Sequence, residues 1–259
     1  MKNYQDGSTL IVVLGLLVVI TLIGTLAMKS SLVSLNIATN SQAQQIMMQS
    51  SDSGLFKIED PKQLNRYLAG NGLLGYLKGA TNKEKELVFC IRNTDNKFFD
   101  IGKASLIYWQ SGKYKPDNGT IGLDGYCNVT QNESYTSGRK AVITQIAVRY
   151  TSTPTEPFQF YHRGTDAQTA KLEEAERVMV HATSLMPTLA NDVSTTDINE
   201  CLQTHLNLAI LPVDAVYDPD TSAEVQAFKK GQISVSQCLT NLNVPHTTQV
   251  AEYKLSQVL

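Results

Sequence analysis

Residues 5–29, QDGSTLIVVLGLLVVITLIGTLAMK, carry no charged side chain between Asp6 and Lys29, and the reading of this run decides the rest of the chain. The 21 residues from Ser8 to Met28 make a helix of about 31 Å at roughly 1.5 Å per residue, which matches the hydrocarbon core of a bilayer. A secretory signal peptide has a shorter apolar core and then a small-residue cleavage site, and no such break precedes Lys29. The run is therefore expected to be retained and to span a membrane. Gly15 and Gly24 lie within it, and small residues let neighbouring helices approach closely, so packing against other helices is expected beside anchoring. Lys2 and the N-terminal amine set the leader on the cytoplasmic side and everything after Met28 on the far side.

The charge balance, 22 basic against 24 acidic residues, gives a net −2 and does not ask for nucleic acid or an anionic membrane surface as main partner. Cys90, Cys127, Cys201 and Cys238 all fall in the part expected to be exported, where an even count favours two disulfides. No CxxC pair is present for zinc or redox work. Four cysteines allow three connectivities, and the local one, Cys90 with Cys127 and Cys201 with Cys238, is expected because it closes two modest loops and keeps each bridge inside one subdomain, each stabilising by roughly 4 kcal/mol.

After Met28 the sequence KSSLVSLNIATNSQAQQIMMQS keeps a loose helical spacing of apolar residues without proline, so the helix is expected to continue into water. Gly54 and the Ser50–Ser53 cluster are candidate points for a kink or an early end. The first proline is Pro61. Beyond it the reading is a short helix near 63–68 and strands near 87–92, 97–101, 105–110 and 141–151, where β-branched and aromatic residues cluster, with QFYH as a resumed partner strand. Residues 165–185, TDAQTAKLEEAERVMVHATSL, read as a helix, TTDINECLQTHL and SAEVQAFKKG as two shorter helices, and LNLAILPVDAVYD as a strand interrupted at Pro212. The expected class is α+β: a leader (1–7), a membrane half-helix (8–28), an amphipathic half-helix (29–60), a β-rich head (61–164) and a more helical C-terminal lobe (165–259).

Chemical motifs are sparse. AGNGLLG matches GxGxxG at Gly70, Gly72 and Gly75 but follows KQLNRYL rather than an apolar strand, so it reads as a glycine-rich turn. Asp218, Asp220 and Glu224 lie close together without the alternation and glycine of a calcium loop, and read as an N-cap with an acidic loop. His162, His181, His205 and His246 are scattered without metal-ligand spacing. No GxSxG elbow occurs, which argues against a hydrolase. IYWQSGKYK interleaves Tyr108, Trp109 and Tyr114 with Lys113 and Lys115, the residue types that bind single-stranded nucleic acid, but a hairpin with packed aromatics accounts for it equally, and DNA is not taken as a partner. Asn118, Asn128 and Asn132 begin NxS/T sequons and mark exposed loops.

GSTLIV, Gly7 to Val12, resembles the GFTLIE start of type IV prepilins, in which a peptidase cuts after the glycine, the new first residue is N-methylated, and the apolar half-helix packs into a filament core. Ser8 stands where the family has Phe, Val12 where it has Glu, and Asp6 sits in a leader that tends to be basic. TLIGTLAMKSS, 21–31, is similar to the TLLGxxAMxS stretch of PilX-type minor pilins, which often lack the acidic residue as well. The resemblance covers about residues 7 to 40. It implies Gly7 as the processing glycine, Ser8 as the mature first residue, and the helix bearing Val12, Gly15 and Gly24 as the assembly element. It also implies, as partners, other minor pilins and the major pilin, a prepilin peptidase and an inner-membrane assembly platform, with a tip adhesin as a candidate. The expectation is a structural protein with no catalytic, cofactor or metal site, held in the inner membrane with a periplasmic head and then moved into a pilus. Val12 points toward the tip: an unpaired carboxylate inside an apolar bundle is costly, and a subunit with none above it has no use for one. The alternatives are a pseudopilin of a type II secretion system and a membrane-anchored periplasmic binding protein or hydrolase.

Overall fold

The computed structural model describes residues 6–60, 64–69, 72–78, 82, 84–92, 100–151, 176–209, 211, 212, 214, 215 and 221–255. They belong to two compact units, Met1–Gln45 and Ile46–Leu259. The first unit is the leading part of α1, a helix of 53 residues over Asp6–Ile58. With Leu, Val and Ile on every side and no proline, its residues 10–28 have the all-round apolar character of a helix made for lipid or for a bundle. It is long and apolar enough to cross a membrane.

The second unit holds the last turns of α1 together with α2 (Leu64–Leu68), α3 (Leu73–Lys78), β1 (Glu86–Cys90), β2 (Ser105–Trp109), β3 (Pro116–Asp117), β4 (Ile143–Thr151), β5 (Glu176–Leu185), α4 (Thr195–Thr204), α5 (Ser222–Gln232), α6 (Val235–Asn241) and β6 (His246–Leu255). The strands form one antiparallel sheet in the order β3-β2-β1-β4-β5-β6. Side chains alternate across it. Leu87, Phe89, Leu106, Ile146, Val148, Val178, Val180 and Ala182 face one side and bury Ile58 of α1 with Tyr67, Leu74 and Leu77. On the other side Cys90, Ile143 and Leu185 pack on Ile198, Leu202, Val235 and Leu239. Val88, Ile107, Trp109 and Ala147 meet Leu206, Ala215 and Phe228 there. Burying each such Leu, Ile or Phe contributes roughly 1.5–3 kcal/mol.

The class is α+β, and several local readings are corrected. Residues 165–175 lie outside the described residues, but 176–185 form strand β5 instead of the end of a helix. Nine residues of β5 pair with β4 and all ten with β6. The helix-favouring composition of AKLEEAE is followed by VMVHATS, in which Val178, Val180 and Ala182 alternate inward and the sheet supplies partners on both sides. The strand expected at LNLAILPVDAVYD is absent among the described residues of that stretch; the Asn207 and Leu208 amides donate to the Glu86 carboxylate, not to a neighbouring strand. Of the strand at 97–101, residues 97–99 lie outside the described residues, and Ile101 opens a 3-10 turn capped by Asp100, whose side chain accepts from the Gly102 amide at 3.0 Å. QFYH also lies outside them. Helix α1 runs through Ser50–Ser53 and Gly54 without ending. β5 and β6, both beyond residue 164, complete the same sheet as β1 and β4. Helices α3 and α6 and strands β3 and β6 are not expected from the sequence.

Candidate functional site

The first unit carries an extended exposed apolar surface. Leu10 is 70% exposed, Ile11 74% and Val12 63%, and no large apolar residue from Leu10 to Ile37 among those with exposed side chains falls below 49%. Two threonine hydroxyls of the uncharged run are satisfied inside the helix: Thr21 Oγ1 donates to the Val18 carbonyl at 2.8 Å and Thr25 Oγ1 to the Leu22 carbonyl at 2.9 Å. These two hydroxyls therefore have partners even in an apolar medium, where an unpaired one would cost several kcal/mol. A Cβ added at Gly15 or Gly24 would meet nothing within 4 Å, so neither glycine is required by packing within the chain. Gly7 and Ser8 lie in the first turn of α1.

Within the second unit the end of α1 lies against the sheet through small residues. A Cβ at Gly54 would sit 2.7 Å from Ile91 Cδ1 and 2.8 Å from Ile146 Cδ1, so glycine allows the helix to approach at this point. Ser50 Oγ and Thr144 Oγ1 are 2.8 Å apart, and Thr144 Oγ1 and Ser184 Oγ 2.7 Å, a hydroxyl chain from helix to β4 to β5. The Tyr253 hydroxyl donates to Glu59 Oε1 at 2.8 Å, and the Tyr67 hydroxyl to the Lys57 carbonyl at 2.9 Å. The serines and glycine that read as a weak point are thus contact residues.

Cys90 is bonded to Cys127 and Cys201 to Cys238, with Cα separations of 4.9 and 5.6 Å. The first bridge ties β1 to the loop before β4, and the second ties α4 to α6. Beside the first, the Cys127 amide donates to Gln145 Oε1 at 3.0 Å and Gln145 Nε2 donates to the Leu202 carbonyl at 3.0 Å, so the loop, β4 and α4 share one polar knot.

A second knot had no signal in the sequence. Glu86, fully buried on β1, accepts from the Asn207 amide at 3.0 Å, Asn207 Nδ2 at 3.1 Å and the Leu208 amide at 3.0 Å. Arg149 on β4 donates through Nη1 to the Leu208 carbonyl at 2.7 Å and lies 4.0 Å from Glu86 Oε1. Burial raises the Glu86 pKa above the ordinary carboxylate value, with the Asn207 and Leu208 amides and Arg149 working against that shift. The pair stitches the 206–209 segment to the sheet.

The remaining candidates are absorbed by structure. Gly72 and Gly75 allow α3 to fold back on α2, since a Cβ at Gly72 would lie 2.1 Å from the Arg66 carbonyl and one at Gly75 2.0 Å from that of Ala69. Gly70 lies outside the described residues. Trp109 is 6% exposed, donates from Nε1 to the Lys113 carbonyl at 2.8 Å, and meets Phe228 edge-on at 5.6 Å, so it has no free face for a base. Lys85 sits over the Tyr108 ring at 4.6 Å. Glu224 completes a capping box with Thr221; Asp218 and Asp220 lie outside the described residues, as does His162. His181 is buried in β5 with its pKa pushed down to about 4 by burial and then by Arg149. His205 ends α4, and His246 Nδ1 lies 2.9 Å from the Val244 carbonyl. Asn118 Nδ2 donates to the Gln203 carbonyl at 2.7 Å, and Asn128 Oδ1 accepts from Thr130 and Asn199, so two of the sequon asparagines bind within the fold. Asn132 begins a 3-10 turn. Among the described residues no three His, Cys, Asp or Glu side chains cluster in a way that could hold a metal ion.

Residues 6–56 match the family model for the PilX N-terminal segment. This match and the long apolar helix fit a type IV pilin-like minor pilin. No curated protein and no solved structure matches the chain.

Proposed function

We propose that this chain, whose N-terminus is that of a type IV pilin-like minor pilin, is cut after Gly7 and incorporated through the helix beginning at Ser8 into a tip or priming complex that initiates pilus assembly. The carrying observation is the half-to-three-quarters exposed apolar surface running from Leu10 through Met28 inside the matched segment, uninterrupted by charge. Such a surface needs either lipid or other helices, and Gly15 and Gly24, unconstrained within the chain, suit helix-to-helix contact. The proposed itinerary is the inner membrane with the head in the periplasm, then the pilus. The head then serves as a structural unit and not as an enzyme.

Val12 supports the tip position. In the family pattern the acidic residue there meets the amine of a neighbouring subunit, and burying either charge alone is costly. With Val12 the subunit still offers its Ser8 amine to a subunit below and needs no partner above. Mass spectrometry of the mature protein from its native host tests the processing: the expected N-terminus is methylated Ser8, and an intact Met1 sinks the proposal. A bulky substitution at Gly7 is expected to leave the leader attached and keep the protein out of pili. Immunogold labelling of sheared pili tests the position, with rare labels at the ends expected and frequent labels along the shaft excluding a tip role.

A further inference from the structure

A shallow pocket of about 240 Å³ opens on the second unit between α4, α5 and the segment around β3. One of its lining residues, His205, is 2% exposed, and the ring's Nε2 has no hydrogen-bond partner. Its Nδ1 lies 3.0 Å from Thr204 Oγ1, and that hydroxyl donates to the Glu200 carbonyl at 2.8 Å. The Glu200 and Lys230 carbonyls beside the ring favour its charged form, but burial outweighs them and the pKa is lowered, so the ring is neutral at pH 7. A buried polar atom left without a partner is costly and marks a place where a ligand group fits.

Charge at the mouth narrows the class. Lys230 Nζ and Glu200 Oε1 are 2.7 Å apart and both half exposed. Lys115 lines the same pocket, exposed and without an ion pair among the described residues. An anionic ligand would meet the Glu200 carboxylate, and a cationic one would meet two ammonium groups. Because the Thr204 hydroxyl gives its proton to the Glu200 carbonyl, Nδ1 is the ring's donor and Nε2 its acceptor, which a ligand hydroxyl satisfies and a carboxylate does not. Hydroxyls also accept from Lys115 and Lys230 and donate to Glu200. Pro116, Ala227 and Gly231 add an apolar wall for the carbon face of a ring. The volume lies below the usual range of roughly 300–1,000 Å³ for drug-sized ligands, which limits the occupant to one ring.

We propose that this pocket binds a single neutral polyhydroxylated ring of hexose size, a sugar-binding capacity independent of the assembly role of α1. The test uses the full chain in lauryldimethylamine oxide micelles, because detergents with sugar headgroups would compete. Glucose, galactose, mannose and N-acetylglucosamine are titrated beside sodium phosphate and acetate, with saturation-transfer NMR on the ligand. A second readout is the fluorescence of Trp109, the chain's one tryptophan, whose ring closely approaches the Cα side of Gly231. Saturable binding of at least one sugar is expected, with none of phosphate or acetate. The binding should weaken about tenfold in Ala227→Leu, which fills the pocket, or in the exposed-site variant Lys115→Ala. No saturation by any of the sugars, saturation by an anion in their place, or sugar binding that both variants leave unchanged overturns the proposal.

Discussion

Removing the Glu86 carboxylate tests whether the 206–209 segment is held by that buried side chain. In Glu86→Ala the Asn207 amide, Asn207 Nδ2 and the Leu208 amide lose their acceptor, and Arg149 is left buried with no carboxylate at 4.0 Å. An unsatisfied buried donor costs about 1–3 kcal/mol and an uncompensated buried charge about 3–5 kcal/mol, and the two overlap because Arg149 keeps its bond to the Leu208 carbonyl. The expected loss is therefore about 3–5 kcal/mol. Glu86→Gln keeps an acceptor for the Leu208 amide but sets an NH₂ or a misplaced oxygen against Asn207, and about 1–3 kcal/mol is expected. The assay is denaturant unfolding of the full chain in micelles, followed by Trp109 fluorescence, for Glu86→Ala, Arg149→Met and the double variant. Because the two side chains share the Leu208 peptide, the double variant should lose less than the sum of the singles by at least about 0.5 kcal/mol. A Glu86→Ala protein within 1 kcal/mol of the parent, a bound set by the low end of the unsatisfied-donor cost, or strict additivity in the cycle, refutes the reasoning.

Gly54→Leu should destabilise the second unit by about 1–3 kcal/mol through overpacking against Ile91 and Ile146, whereas Gly24→Leu, with open space around it, should leave the same unfolding transition unchanged; equal effects would remove the contact argument. Replacing Cys201 and Cys238 together by Ser should lower stability by about 4 kcal/mol, as the chain-entropy estimate gives for a separation of 37 residues, and unchanged melting would show that the bridge contributes nothing. His181 has a folded-state pKa of about 4, below its unfolded value near 6.5, so the unfolded chain binds more protons between those limits. Its contribution is present above about pH 6.5 and is lost as the pH falls toward 4, by up to about 3 kcal/mol; His205, also depressed by burial, acts in the same direction. Unfolding midpoints from pH 7.5 to 4.5 should fall in the parent and flatten in His181→Gln, and parallel curves would exclude His181 as the source.

The sheet's first strands were legible because LVFC, SLIYW and ITQIAVRYT concentrate β-branched and aromatic residues in runs bounded by turns, and these became β1, β2 and β4. Helices α4 and α5 were legible for a local reason as well, since Ser194 and Thr221 provide side-chain caps at their starts. β5 was not. Its residues follow directly on a stretch of helix-favouring composition, and only pairing with β4 on one side and β6 on the other settles their conformation. β6 itself, HTTQVAEYKL, is rich in polar residues and becomes a strand by adding to the edge of β5.

By itself the sequence determined the N-terminal element, because a run without charge, long enough for a bilayer and free of proline, records its helical, apolar character locally, and its Thr21 and Thr25 hydroxyls bond within the same helix. Of the three pairings four cysteines allow, it also favoured the local one, Cys90 with Cys127 and Cys201 with Cys238, which is the one that forms. Only the tertiary structure decided that Glu86 and Arg149 hold a segment some sixty residues beyond Arg149. That outcome depends on bringing β1, β4 and the segment after α4 into contact, where burial makes each unpaired polar group expensive and so selects its partner, and no local pattern of residues records which partner that will be.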